Sequence, residues 1–556
     1  MTVEDPTAMP LPPRPGYGTS IAAAAAALLA VSDGAASPLL AAPPTKAAAS
    51  AEGAAARPTP ERTLWFGVYL GEKRTGRMLR ERAGGVTHRG VRDAQWSRMH
   101  LRLDLTALGR PVVIDREREA WTTEAGAPLE EYEVSRSPQR TTRVRATYAG
   151  RTVTYSADLG DGRIRRGSHS IGPGERFYAA DPFTGADGGG VAARQGPAER
   201  RVRYRDFNPE TLALEDADLA LSRRAAADGA TDPAAREIVA VGNVAVRAYR
   251  QPFKMGETSG VYYEDERGEM LRVDLGPIRI LRLPKDRALA PLAGAAEVTE
   301  IASYPPDRPI ESPRALRAAT YLLRGLSAPL ATADNEVQTA VVRRTDDGGY
   351  EAVVNVRTGP APEPEAGSVP LARIDRQAHA ALLRPSLYVP SDHPTIVALA
   401  KRLVGTEEDA GRAAGKLSDH VYLVMTYDPG ASYGTYRDAA QILASRRGVC
   451  QDYATLLVAL CRAAGIPARF CGGLAYADGR FYLHAWVEVW TGRWVALEPT
   501  WGAPFADATH IKLSEGEPTD ERAGASRLDA FKITVLGTDS GENNAPPPGP
   551  EREQVD

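Results

Sequence analysis

The stretch Gly448-Val449-Cys450-Gln451-Asp452-Tyr453-Ala454-Thr455-Leu456-Leu457-Val458-Ala459-Leu460-Cys461-Arg462-Ala463-Ala464-Gly465-Ile466-Pro467 decides how this chain is read. Residues 450–464 form an apolar run of helical length. Gly465 then Pro467 close it, because glycine suits a helix end and proline cannot continue one. The run opens on a cysteine. At a helix start the N–H groups and the dipole favour negative charge. A thiol placed there is drawn toward thiolate, the form that attacks carbonyls. Cys450 is therefore the candidate nucleophile, and Gln451 stands beside it.

Such a thiol needs a base, and the base needs a group to orient it. Downstream, turn signals divide three predicted strands, 468–476, 481–490 and 493–497. In the second, Leu483, Ala485, Val487 and Val489 share one face by alternation. His484 shares the other with Tyr482, Trp486 and Glu488. Glu498 ends the third strand, before Pro499-Thr500-Trp501-Gly502. A two-residue turn at Thr491-Gly492 would send Glu498 to the wrong face. A three-residue loop Trp490-Thr491-Gly492, with Gly492 left-handed, would set His484 opposite Glu498. The chemistry requires the second arrangement, so it is the one expected. His484 is then the base and Glu498 its orienting acid.

Together these segments resemble the transglutaminase-like superfamily, bacterial type. Gly448-Val449-Cys450, Ala463-Ala464-Gly465-Ile466-Pro467-Ala468-Arg469, His484-Ala485-Trp486-Val487-Glu488-Val489 and Glu498-Pro499-Thr500-Trp501-Gly502 carry the likeness, in the order Cys, His, acid. Tyr427-Asp428-Pro429 and residues 508–516 are similar too. The resemblance covers about 390–515. It implies a papain-like α+β core and a triad that forms or hydrolyses acyl bonds through a thioester. The acceptor is an amine or water, and the substrate a protein or peptide. A cysteine peptidase or amidase on the same fold is one alternative. A non-catalytic binding or assembly module with a weakened triad is another. The family usually has Asp where this chain has Glu498. The upstream tryptophan that helps hold the oxyanion in animal members has no match between 391 and 449. That role falls to the Cys450 N–H, with Tyr427 or Gln451 as candidates. Trp486 and Trp501 are read as packing residues that can line the acyl cleft. Asp452 is read as a charge that favours the helix start.

Working upstream, Ser391-Asp392 is expected to cap a helix through Leu403, and Thr406 with Asp409 to start a second. A third short helix is capped by Thr435 and closed by Gly448 at its C′ position. Residues 296–388 read as a small α/β or β domain and 390–538 as the catalytic domain. The region 62–290 holds many short apolar runs between turns, the mark of an antiparallel β domain. A helix over Tyr204–Ala226 is expected within it, and its basic residues are taken as a solvated face. The fold class is α+β, a papain/transglutaminase-like core preceded by a β-rich region.

The 556-residue chain has a formal net charge of -3, which argues against bulk binding to nucleic acid. Its three cysteines lie in one segment and make no disulfide framework. Cys461 follows Cys450 by about 16 Å at roughly 1.5 Å per residue, so the two cannot pair. The other histidines show no metal-ligand spacing, and neither metal nor cofactor is expected. The apolar run Ile21–Val31 falls short of the ~20 residues needed to span a bilayer. It suits a signal peptide over 1–36, followed by a linker to 61. The expected location is periplasmic, envelope or secreted, and cytoplasmic if the run is only linker. No integral membrane span is expected. Residues 539–556 read as a disordered tail.

Overall fold

The computed structural model describes residues 57–540 except 108, 138–139, 178–198, 223–235, 256–257, 266–268, 298–302, 327–328, 331, 333–334, 347–348, 359–367, 433–435, 504 and 521–530. The expected signal peptide, nearly all of the linker and the tail from 541 lie outside these residues. Two compact units divide the chain. One takes 113–296 with the stretch up to 105; the other takes 297 onward with 106–112.

The first unit is built on one large sheet. Its strands run in meander order from Arg62–Leu70 out to Ile164–Ser170, and on the other side from Ile278–Leu283 back to Glu199–Asn208. Every strand pair of described register here is antiparallel, as expected. The helix expected over Tyr204–Ala226 is instead two paired strands, Glu199–Asn208 and Ala213–Ser222. The Asn208 side chain accepts from the Glu210 and Thr211 N–H groups, and left-handed Leu212 completes the reversal. That Asx turn reverses the chain where a helix would have continued it.

Only some of the basic residues of this unit face solvent. Arg98 joins Glu81 and Glu117, and Arg136 joins Glu117 at 2.7 Å and Asp115 at 3.1 Å, making a cross-strand ladder. Burial would raise the Glu117 pKa, but Arg98, Arg136 and Arg57 bring it down to about 2. Arg80 and Arg116 are buried outright.

In the second unit, helices α1 (Pro394–Val404), α2 (Ala410–Val424), α3 (Ala439–Ser445) and α4 (Cys450–Ala463) precede strands β1 (Ala468–Ala477), β2 (Arg480–Trp490), β3 (Trp494–Leu497) and β4 (Ile511–Gly516). β2 pairs with β1 and β3, and β1 with β4, all antiparallel. Asp478 and Gly479, both at positive φ, make the two-residue β1–β2 turn. The helix starts differ by a few residues from expectation. Pro394 opens α1 after His393; Asp409 caps α2 through the Arg412 N–H; Asp438 caps α3. Thr435 lies outside the described residues. Arg446, left-handed, ends α3 in place of Gly448. Gly448 pairs with Tyr427 in a short parallel bridge instead.

A second sheet joins Ala318–Leu326, Gln338–Arg344 and Tyr350–Arg357 to Lys532–Asp539. The strands of 296–388 therefore do not close on themselves, and the last strand of the chain completes their sheet. One apolar face of β2 serves two cores. Phe481 and Leu483 pack with Tyr321, Leu323, Val354 and Ile533 of the second sheet. Ala485, Val487 and Val489 pack with Ile396, Leu417, Leu457 and Cys461 of the helices. The other face of β2 carries the site.

Candidate active site

Cys450 is the first residue of α4 and is buried. The Asp452 carboxylate accepts the Val449 N–H at 2.8 Å, which ties down the chain entering the helix. Arg437 balances that carboxylate at 2.9 Å. Asp452 therefore fixes the helix start, as its position suggested. Tyr427 pairs in register with Gly448, and its ring lies 6.3 Å from that of Tyr453. Gln451 is buried beside the thiol, its carbonyl accepting from Thr455. These residues gather around the start of α4.

A second cluster centres on His484, fully buried in β2. Its Nε2 lies 2.8 Å from Glu498 Oε2. The register that permits this is not the expected one. Trp490 pairs with Trp494 and Val487 with Leu497, so the loop is Thr491-Gly492-Arg493, with Gly492 at positive φ. Extending that ladder sets Trp486, not His484, across from Glu498. His484 is then a diagonal neighbour on the same face, a longer reach than a direct pair. Glu498 also leaves the ladder there, bridging back to Ala503 across a turn closed by left-handed Gly502. The added methylene of Glu over Asp suits that longer reach.

Glu498 accepts three N–H groups. His484 and His510 meet Oε2 at 2.8 and 3.2 Å, and the Thr500 N–H meets Oε1 at 2.7 Å. Burial alone would raise its pKa, but the two histidines hold it well below the usual carboxylate range. Since a carboxylate only accepts, His484 carries its proton on Nε2. His484 Nδ1, buried, has no hydrogen-bond partner in the structure. Burial pushes the His484 pKa down, against the pull of Glu498.

Trp501 stacks on His484 with centroids 4.5 Å apart, and Arg314 lies 3.9 Å over the Trp501 ring. Trp486 lies edge-on to His510 at 5.2 Å. Glu488, on the same face, is engaged by Arg469, Lys512 and Asn335. It is structural. Cys461 and Cys471 are buried thiols whose pKa values burial pushes up.

Sequence reading grouped His510 with the scattered histidines, and it missed Asp507 and Arg314. All three belong to the site. His510 Nδ1 faces the Asp507 backbone carbonyl at 3.1 Å, and Arg314 pairs with the Asp507 carboxylate. The one available signal was local: an acid three residues before a histidine, just ahead of a strand. Donor atoms of His484, Glu498 and His510 lie within 4.8 Å of one another. That spacing could suit a cation, which residue spacing alone did not reveal. His484 Nε2 and His510 Nε2 both face Glu498 Oε2, and both His510 nitrogens face acceptors.

The relatives include two uncharacterized mycobacterial proteins. An uncharacterized protein of Mycobacterium leprae is 31% identical over 129 residues, 21% of this chain and 44% of its own length. One of Mycobacterium tuberculosis is 34% identical over 115 residues, 18% of this chain and 36% of its own. The chain thus spans under half the length of these relatives. Among solved structures, a Cytophaga hutchinsonii protein provisionally described as a cysteine protease is 20% identical, with a TM-score of 0.29 over 42% of this chain and 90% of that one. A β-barrel-like protein of Brucella abortus is 10% identical, with a TM-score of 0.27 over 40% of this chain and 94% of that one. At such scores neither likeness defines the fold. The family comparison is more specific, and residues 397–499, which include Cys450, His484 and Glu498, carry a domain of the Transglutaminase-like superfamily.

Proposed function

We propose that this domain is a thiol enzyme of papain-like arrangement, acting on amide or peptide carbonyls of proteins through a Cys450 thioester. One observation carries the reading. The His484–Glu498 pair is buried and oriented, and it leaves Nδ1 of the imidazole without a partner. In that tautomer Nδ1 is the lone-pair atom that can take a proton from a thiol.

In the proposed cycle, His484 Nδ1 takes the Cys450 proton and the thiolate forms an S–C bond to the carbonyl carbon. The oxyanion is met by the Cys450 backbone N–H, with Tyr427 and Gln451 close to that helix start. The C–N bond breaks, and the imidazolium gives its proton to the departing amine. Water or a second amine then attacks the thioester, yields its proton to Nδ1, and restores the thiolate. Glu498 accepts from Nε2 throughout and stabilises the imidazolium. The flank of α4 packs on the face of β2 opposite to His484. The pairing therefore asks the first residue of α4, rather than its flank, to meet the imidazole.

Alkylation by iodoacetamide tests this. Cys450 should react far faster than a free thiol at pH 7, and His484→Ala should lose that advantage. Cys461 and Cys471 should contribute little, and Cys450→Ala should remove the fast phase. A Cys450 that reacts like an ordinary thiol overturns the reading in favour of a binding module. Amine incorporation measured against hydrolysis then separates transferase from peptidase or amidase. The peripheral expectations stand as proposals: export from the cytoplasm, and no nucleic-acid partner. No helix among the described residues is long and apolar enough to cross a membrane.

A further inference from the structure

We propose that His510 is an imidazole held protonated at neutral pH that positions Glu498 and sets the proton balance of His484. The inference rests on the triad reading above and deepens it. His510 is a positioning residue: it acts through Glu498 and touches no reacting atom.

The geometry fixes its protonation. Nδ1 faces the Asp507 carbonyl oxygen at 3.1 Å, and a carbonyl only accepts. Nε2 faces Glu498 Oε2 at 3.2 Å, and that carboxylate also receives His484 and the Thr500 N–H. Both ring nitrogens must then carry hydrogen, which makes the ring an imidazolium. The groups around it agree. Asp507 Oδ1 lies 3.4 Å from Nδ1 and is held ionised by the Thr509 N–H at 2.8 Å and by Arg314. Of the charged or titratable groups facing His510, Glu498 comes from the end of β3, Asp507 from its own loop and His484 from β2. Arg314 acts through Asp507. Trp486 and Trp501 pack against the His510 ring at centroid distances of 5.2 and 5.0 Å. Burial would lower the His510 pKa, but Asp507 and then Glu498 outweigh it and hold it at about 9.

Two consequences follow for His484, whose ring centroid lies 5.6 Å from that of His510. First, Glu498 is anchored from two sides and cannot swing away from His484. Second, the His510 charge offsets that of Glu498. Without it, the Glu498 carboxylate would draw a second proton onto His484 and the base would rest already protonated. With it, His484 rests neutral and can accept the thiol proton.

The test is side-chain nitrogen NMR on the full chain carrying Cys450→Ala, which removes coupling to the thiol. His510 should show two protonated ring nitrogens at pH 7.5, and His484 should show only Nε2–H. In His510→Gln, a donor to Glu498 can remain but the charge is gone. The His484 titration midpoint should then rise by about one pH unit or more. If Gln leaves that midpoint unchanged, His510 is only a neutral donor and the inference fails. A neutral His510 ring at pH 7.5 in the unaltered site overturns it as well, and that measurement needs no altered His510. Should His510→Gln fail to fold, Asp507→Asn must lower the His510 midpoint; no change there also overturns the proposal. Fast Cys450 alkylation in the native chain alongside any of these failures sinks this inference alone. Slow alkylation sinks the triad reading while leaving the NMR result to stand by itself.

Discussion

Glu498 meets His484 across a diagonal of the hairpin, and the length of its side chain is part of that contact. Family members usually carry Asp here, so Glu498→Asp looks like a repair. The register argues otherwise. Shortening the acid by one methylene withdraws the carboxylate from both His484 and His510 and from the Thr500 N–H. A displacement of about 1 Å can cost about a hundredfold in rate. Glu498→Asp should therefore slow Cys450 alkylation at pH 7 by at least about tenfold; an equal or faster rate would show that the acid's length is immaterial. His510 adds a pH dependence of definite sign. Its folded pKa is raised from 6.5 to about 9 by Asp507 and Glu498 against the cost of burial. The stability from that proton is fully present below about pH 6.5 and is lost as pH rises through about 9. At 1.36 kcal/mol per pKa unit it is worth on the order of 3 kcal/mol. Chemical denaturation of the C-terminal unit at pH 6.5 and at pH 10 should show this loss, and His510→Gln should flatten it.

At the scale of single elements, Gly473 shows how tightly the His484 cluster is built. It pairs with His484 in β1, and a Cβ there would lie 2.1 Å from the Ile511 carbonyl and 2.8 Å from the Trp486 ring. The first neighbour is backbone and cannot rotate away. Gly473→Ala must push β4 off β1, at roughly 1–3 kcal/mol for overpacking. It should lower the melting temperature and also displace His510, which directly precedes β4. A melting curve unchanged from the native chain would contradict that packing. The legibility of these elements differed for physical reasons. α4 was legible because a 3.6-residue apolar pattern, a Gly-Ile-Pro stop and a cysteine start all agree. β1 and β2 were legible because Asp478-Gly479 dictates a two-residue turn. The β2–β3 register was not, because Thr491-Gly492 is compatible with several loops whose left-handed glycine sits at different positions. The two strands between Glu199 and Ser222 were missed because the Asx turn at Asn208, which reverses the chain between them, leaves little mark in the sequence. His510 was missed because its partners come from three separate segments, and sequence distance conceals spatial convergence.

Across the whole molecule, the last strand closes a sheet begun more than two hundred residues earlier. Lys532–Asp539 runs antiparallel to Ala318–Leu326, with Leu323 opposite Ile533 and Tyr321 opposite Val535. Ile533 and Val535 enter the core that contains Leu474, Phe481, Leu483 and Ile511 from the site-bearing sheet. Sequence alone could not say which sheet receives this strand, since alternation names a face and not a partner. That core lies behind β2 just ahead of His484, so the C-terminal strand supports the His484 cluster from behind. Ending the chain after residue 530 would remove three buried side chains, Phe531, Ile533 and Val535, each worth about 1.5–3 kcal/mol, and bare the edge of Ala318–Leu326. Against a typical net stability of about 5–15 kcal/mol, that loss is large. The shortened protein should melt at lower temperature and lose the fast phase of Cys450 alkylation, although Cys450, His484 and Glu498 are all retained. The native alkylation rate in a chain ending at 530 would show that α1–α4 and β1–β4 hold the site without the second sheet.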